Sequence, residues 1–336
     1  MKTILGLVAM ACLAGSHLAG ATTLESVVKR GTVKCSSTVG TPGFSIPDSN
    51  GRYRGLDVDI CRAVASAVFG DPEKISIVPL SPVARFTALQ TGEVDILLNT
   101  TTWTLGREAT NGILFAGVNY YDGQGIMVRS GDIQTAKELN GATICTNQGS
   151  TTELNLTDFF RINGIKNEIV AFSTQEEAAQ AYQSGRCDAF SSDRSVLYAF
   201  RSKLTEPAKH SVLAETLSKE PLGPSVRQGD DQWFNVVRWS VHVLHAAEEL
   251  GLTSANVDQI AGSTVNPNVL RLVGKEGKLG AALGLPNEWA LSIVQKVGSY
   301  AEVFDRNIGK DSPLKIQRGL NASWKDGGLH YAPPIR

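Results

Sequence analysis

Apolar positions along this chain switch repeatedly between a period of two and a period near 3.6, and each switch predicts a strand followed by a helix. Residues 32–37 alternate as a strand, Pro47-Asp48-Ser49-Asn50-Gly51 is turn chemistry, and 56–69 carries apolar residues at helical spacing until Gly70 stops it. Asp57 and Asp59 fall in that helix's first turn, where the positive end of the helix dipole favours carboxylates, so a capping role is expected for both. A strand at 75–78, a helix at 84–91 and a fully apolar strand at 94–98 complete a first α/β unit.

Residues 124–128 read as an extended crossing, after which the order restarts. Strands are expected at 142–145, 169–172 and 188–190, alternating with helices at 151–163 and 175–184. A second extended crossing at 220–226 follows, and two crossings between two units imply a hinge. Residues 231–250 and 287–304 predict two long amphipathic helices, bearing Trp233, Trp239 and Trp289, that return to cover the first unit. The expected fold class is therefore α/β with two lobes, 22–127 with 224–336 forming the first and 128–223 the second.

Ahead of this pattern stand a basic Lys2, an apolar run from Ile4 to Leu13 and the small-residue sequence Ala19-Gly20-Ala21, the features of a cleavable secretory signal over 1–21. A lipid anchor at Cys12 is the weaker alternative, because Ala9-Met10-Ala11 lacks the usual leucine. No later stretch approaches the ~18 uninterrupted apolar residues of a membrane span. A soluble protein outside the cytoplasm is expected.

Of the five cysteines, four remain once the signal is removed: Cys35, Cys61, Cys145 and Cys187. In an oxidising compartment an even count favours two disulfides, with three possible connectivities. Cys35 with Cys61 and Cys145 with Cys187 is the favoured set, since each pair then joins a strand to a near neighbour within one lobe; four buried thiols are the alternative.

A formal net charge of −1 over 336 residues argues against nucleic acid as a partner. There is no GxSxG, HExxH, Walker loop or GxGxxG, so the usual parts of hydrolase, zincin and nucleotide chemistry are missing, and neither a cofactor nor a metal is expected. His242 and His245 have a spacing that can bind metal, but no third ligand is near, and a partly exposed pair is the expected reading.

Several segments, in order, resemble one known family. Pro42-Gly43-Phe44 with Gly55-Leu56-Asp57-Val58-Asp59-Ile60, residues 88–95, Thr100-Thr101-Thr102-Trp103-Thr104-Leu105-Gly106-Arg107, Gln148-Gly149-Ser150-Thr151 and residues 185–193 are similar to the polar amino-acid-binding proteins of bacterial ABC importers. Those are periplasmic binding proteins of the type II fold. The ending Gly319-Leu320-Asn321-Ala322, Gly327-Gly328-Leu329 and Tyr331-Ala332-Pro333-Pro334, with the chain's length, resembles the longer subgroup that binds L-amino acids generally.

The resemblance implies a site whose chemistry can be checked residue by residue. A free amino acid carries an α-carboxylate and an α-ammonium, and both must be satisfied once water is expelled. Arg107 is expected to hold the carboxylate through its guanidinium fork, helped by the hydroxyl and N–H of Thr102. Thr100 is expected to offer acceptors to the ammonium, and Asp193 to pair with it. From the second lobe, backbone N–H groups at the helix N-terminus that follows Gly149-Ser150-Thr151 would face the anion, and the resemblance implies that Thr151 reaches the carboxylate. Phe44 is expected to line the pocket from above. Thr41, a possible pocket wall, stands where many relatives carry an aromatic, and Trp103 where they carry a small or aliphatic residue; Trp103 either supplies the missing wall or packs beneath the site.

The implied function is capture of L-amino acids with broad specificity by lobe closure, by a monomer that delivers them to the importer's permease subunits. A periplasmic lyase on the same fold, similar to cyclohexadienyl dehydratases, is the rival; it would need a general acid over the ligand side chain, and Asp193 is already assigned to the ammonium.

Overall fold

The computed structural model describes residues 21–131 and 133–336; the expected signal segment up to residue 20, Cys12 included, lies outside them. Helix α1 (Thr23–Arg30) leads into β1 (Val33–Ser37), the short hairpin β2 (Ile46–Pro47) and β3 (Tyr53–Arg54), α2 (Leu56–Phe69), β4 (Ile75–Pro79), α3 (Arg85–Thr91), α4 (Leu105–Asn111) and β5 (Ile113–Phe115). The chain crosses over on β6 (Tyr120–Arg129) and continues through β7 (Thr143–Asn147), α5 (Thr151–Asn163), β8 (Glu168–Phe172), α6 (Gln175–Gln183), β9 (Ala189–Asp193), α7 (Arg194–Arg201) and β10 (His210–Val212). It returns on β11 (Lys219–Leu222) and β12 (Ser225–Arg227) to α8 (Asp231–Glu249), α9 (Val257–Ser263), α10 (Pro267–Leu272), α11 (Leu279–Leu283), α12 (Trp289–Lys296) and α13 (Tyr300–Asn307).

Two lobes result, each with parallel strands whose carboxyl ends face the other. In the first, β1 and β4 pair in parallel, with the core of α2, α8, α12 and α13 packed around Ile60, Val64, Trp233, Ile293 and Phe304. In the second, the sheet runs β10-β6-β9-β7-β8 and carries apolar clusters on both faces, one around Tyr182, Phe190 and Phe200, the other around Ile144, Leu156 and Phe160. The disulfides join Cys35 to Cys61 and Cys145 to Cys187, the favoured set.

The change of core happens inside one strand. Tyr120 belongs to the first lobe's core and Ile126 to the second's, a few residues ahead of the boundary expected at 127/128. Between them, β6 pairs with β11 (Tyr120 opposite Leu222, Gly123 opposite Lys219) and then hands over to β9 from Gln124 onward. These paired strands are the hinge.

Several local expectations need correction. Residues 94–98 make only single bridges, Ile96 to Cys35 and Leu97 to Ser225, because the chain spends this stretch linking β1 to β12 before turning at Asn99. The long helix expected over 287–304 is two helices: Gly298 is left-handed (φ 96°) and Ser299 starts α13 with a capping box to Glu302. Asp57 and Asp59 do fall in the first turn of α2, as expected, but neither makes a capping hydrogen bond. The N-cap of α2 is Gly55 (φ 136°), where a Cβ would lie 2.1 Å from the Phe44 carbonyl oxygen, so only glycine fits and no side chain is available there. His245 is buried rather than exposed, its ring 4.1 Å from His330 and 4.6 Å from Tyr300, because α8 turns that face to the C-terminal segment.

Candidate functional site

Between the lobes lies a cavity lined from both sides. The first lobe contributes Thr38 after β1, Leu80–Pro82 after β4, Arg85, the loop residues Asn99, Thr100 and Thr102, and Arg107. The second contributes Asn147, Ser150, Thr151 and Thr152 between β7 and α5, Thr174–Glu176 at the start of α6, and Ser192 and Asp193 at the end of β9. Every wall is thus a strand's carboxyl end or a helix start, where α/β folds expose unpaired backbone groups to a ligand.

The loop after residue 98 is held in an unfavourable shape. Asn99 (φ 60°) and Thr100 (φ 44°) are both left-handed without being glycine. Asp57 sustains this by accepting from the Thr100 N–H (2.9 Å) and from Asn119 (3.2 Å); burial pushes its carboxyl up to about 6. Asp59 instead binds Arg62, Arg306 and Asn307. The two acids therefore serve tertiary contacts, Asp57 directly behind the site.

Two guanidinium groups reach the cavity from this lobe. Arg107 donates to the Thr102 carbonyl (2.7 Å) and Arg85 to the Asn99 carbonyl (3.0 Å), and both lie over the Phe86 ring at 5.4 and 5.0 Å. Arg85 is buried, and its Nε has no partner among the described residues. Burial and then the neighbouring Arg107 drive its pKa far down, opposed by Asp193 and Asp57. Burial likewise lowers that of Arg107, opposed by Glu220 and Asp193.

Across the cavity, Ser150 caps α5, its hydroxyl accepting from Glu153 N–H (3.2 Å) and donating to the Asn147 carbonyl (2.6 Å). The Gly149 N–H is taken by the Glu153 carboxylate (2.9 Å) and so is not available to an anion; the N–H groups of Thr151 and Thr152 open the helix without an intrahelical acceptor. Asp193 stands at the N-cap position of α7 without capping it, which leaves its carboxylate to the cavity. Burial, with Asp122 and Glu220 nearby, holds it well above the usual carboxylate range, against the pull of Arg107 and Arg85.

The structure brings Thr100, Thr102, Arg107, Ser150, Thr151 and Asp193 to one cavity, moves the expected Phe44 off its wall, and leaves Thr41 and Trp103, the two possible wall residues, outside the lining. Phe44 is fully buried, edge-on to Tyr120 at 5.4 Å, because the Gly43 turn directs it into the first lobe's core. Trp103 packs beneath, stacked on Phe115 at 5.6 Å. Thr41 is buried, and its hydroxyl donates across the lobes to Gln175 (2.6 Å). Arg85 and Glu220 escaped the sequence reading; an arginine opening an apolar helix and an acid in an extended crossing were the only signals.

Residues 33–256 match the model of bacterial extracellular solute-binding proteins, family 3. The chain is 51% identical over 325 residues to the general L-amino acid-binding periplasmic protein AapJ of Rhizobium johnstonii, covering 96% of this chain and 95% of that one. It is 48% identical to the glutamate/glutamine/aspartate/asparagine-binding protein BztA of Rhodobacter capsulatus, covering 98% of each. A solved periplasmic binding protein of an ABC transporter from Brucella ovis, with glutathione bound, superposes with a TM-score of 0.92 at 50% identity, over 94% of this chain and all of that one. Sequence, topology and the placement of the cavity agree, and the chain belongs to family 3 of the bacterial extracellular solute-binding proteins.

Proposed function

We propose that this protein captures free L-amino acids with broad specificity between its lobes and hands them to the membrane subunits of an ABC importer, acting as a binding protein and not an enzyme. The carrying observation is that Arg107, Asp193 and the start of α5 face a single cavity from opposite lobes. Arg107, with the N–H groups of Thr102, Thr151 and Thr152, takes the α-carboxylate; Asp193 and Thr100 take the α-ammonium. A ligand gains its full set of contacts only when the lobes are closed, so it selects the closed form by differential affinity.

The named relatives support the same role, since each is a binding protein over nearly the whole length of this chain; that favours binding over the lyase alternative. Secretion through a signal over 1–21, residence in the periplasm and a monomeric working state belong to the same reading, with lobes of 22–127 plus 224–336 and 128–223 to within the few residues of the hinge. Because contacts are proposed to the zwitterion common to all amino acids, several side chains are accepted. Glutathione, bound by the Brucella ovis relative, presents the same zwitterion at its γ-glutamyl end, which makes γ-glutamyl peptides a second ligand class to try.

Isothermal titration of the ligand-stripped protein with each common L-amino acid and with glutathione, followed by mass spectrometry, tests this. Saturable heat with several amino acids and unchanged masses is expected. A dehydrated product would mean a lyase, and no heat with any of them a different ligand class.

A further inference from the structure

Glu220 is buried on β11, in the hinge itself, and does not line the cavity. Its Oε2 accepts from the Thr102 hydroxyl of the first lobe (2.6 Å) and from the Thr151 hydroxyl of the second (2.9 Å). Its Oε1 accepts from Asn155 on α5 (2.9 Å) and from the Ser218 hydroxyl. Four donors converge on one carboxylate, and the two hydroxyls that meet at Oε2 lie 3.3 Å apart across the lobes.

A hydroxyl has one proton to give. With both protons directed to Glu220, the Thr102 and Thr151 oxygens cannot donate to a ligand carboxylate, contrary to the role expected for the Thr102 hydroxyl. Backbone N–H groups and Arg107 are left for the anion. Parting the lobes separates Thr102 from Thr151, so Glu220 then keeps only one of them, and a buried carboxylate loses a charge-assisted hydrogen bond.

We propose that Glu220 is a positioning residue that latches the closed state, gathering Thr102 and Thr151 from opposite lobes onto one hinge carboxylate. It acts through those residues and not by touching ligand, and the proposal rests on the amino-acid-binding reading above. The latch favours closure before and after ligand enters, so it acts on escape from the closed form more than on entry.

The test is stopped-flow and titration calorimetry on the parent, Glu220→Gln, Thr102→Val and the double variant, with an amino acid that the parent binds. Glu220→Gln is expected to weaken affinity roughly ten- to hundred-fold, mostly through faster dissociation. Thr102→Val is expected to do the same, and the double variant to lose no more than the worse single one. Unchanged dissociation in Glu220→Gln, additive losses, or a loss confined to the melting temperature of the ligand-free protein would overturn the latch. If Glu220→Gln fails to fold, Thr102→Val and Thr151→Val must each speed dissociation for the proposal to stand. A parent that binds no amino acid would instead sink the functional reading.

Discussion

The two walls of the cavity are built by different means. The second lobe's wall is regular: β7 ends, Ser150 caps, α5 begins, and β9 delivers Asp193 at its last residue. The first lobe's wall is irregular. Its central segment is reduced to two bridges, Asn99 and Thr100 are held left-handed by a buried Asp57, and two guanidinium groups, that of Arg85 buried and that of Arg107 partly exposed, are anchored to backbone carbonyls of that same loop. The difference teaches where the charge is placed. Side-chain cations come from the strained wall, while the acid and the helix N-terminus come from the regular one. In the proposed reading each end of the zwitterion draws on both walls, so its full set of contacts needs the lobes together.

Removing the strained wall's forward cation should do most damage. Arg107→Ala is expected to weaken amino-acid binding by roughly a hundred-fold or more, since a bidentate, desolvated pair is lost and the ligand carboxylate is left under-satisfied; calorimetry on the variant checks it. On the regular wall, Asp193→Asn is expected to cost roughly ten- to hundred-fold. It should also change the pH response. Asp193 holds its proton to unusually high pH, whereas pairing with an ammonium favours the ionised form. Ligand binding therefore releases a proton, and affinity falls as pH drops through the raised pKa of Asp193. Titrations across pH should show this slope in the parent and a flatter profile in Asp193→Asn. The smallest effect is expected at the seam: Thr41→Val removes only the bond to Gln175 and should lower affinity a few-fold or less.

The same contrast explains what could be read from the chain. The main strands and helices of the two units were legible because those elements are amphipathic, while the short α1, α4, β5, α7 and α9 to α11 were not read; Gln148-Gly149-Ser150-Thr151 and Asp193 lie on regular strand-to-helix turns whose position follows from the pattern. Arg107 was legible through its motif. Arg85 and Glu220 were not, because their role comes from distant chain segments meeting: the Asn99 carbonyl lies 14 residues from Arg85, and Thr102 lies 118 residues from Glu220. Phe44 was misplaced because an aromatic after Pro42-Gly43 faces either way, and the contact with Tyr120 on the hinge strand decides it. The break at Gly298 was masked by apolar residues that keep helical spacing on both sides of it.

The central claim is that both charged ends of the ligand are read, by groups drawn from both walls. Its most direct test compares the affinity of one well-bound L-amino acid with that of its α-carboxamide and of its deaminated acid. Each analogue should lose roughly ten-fold or more. Either analogue binding as tightly as the amino acid would contradict the account.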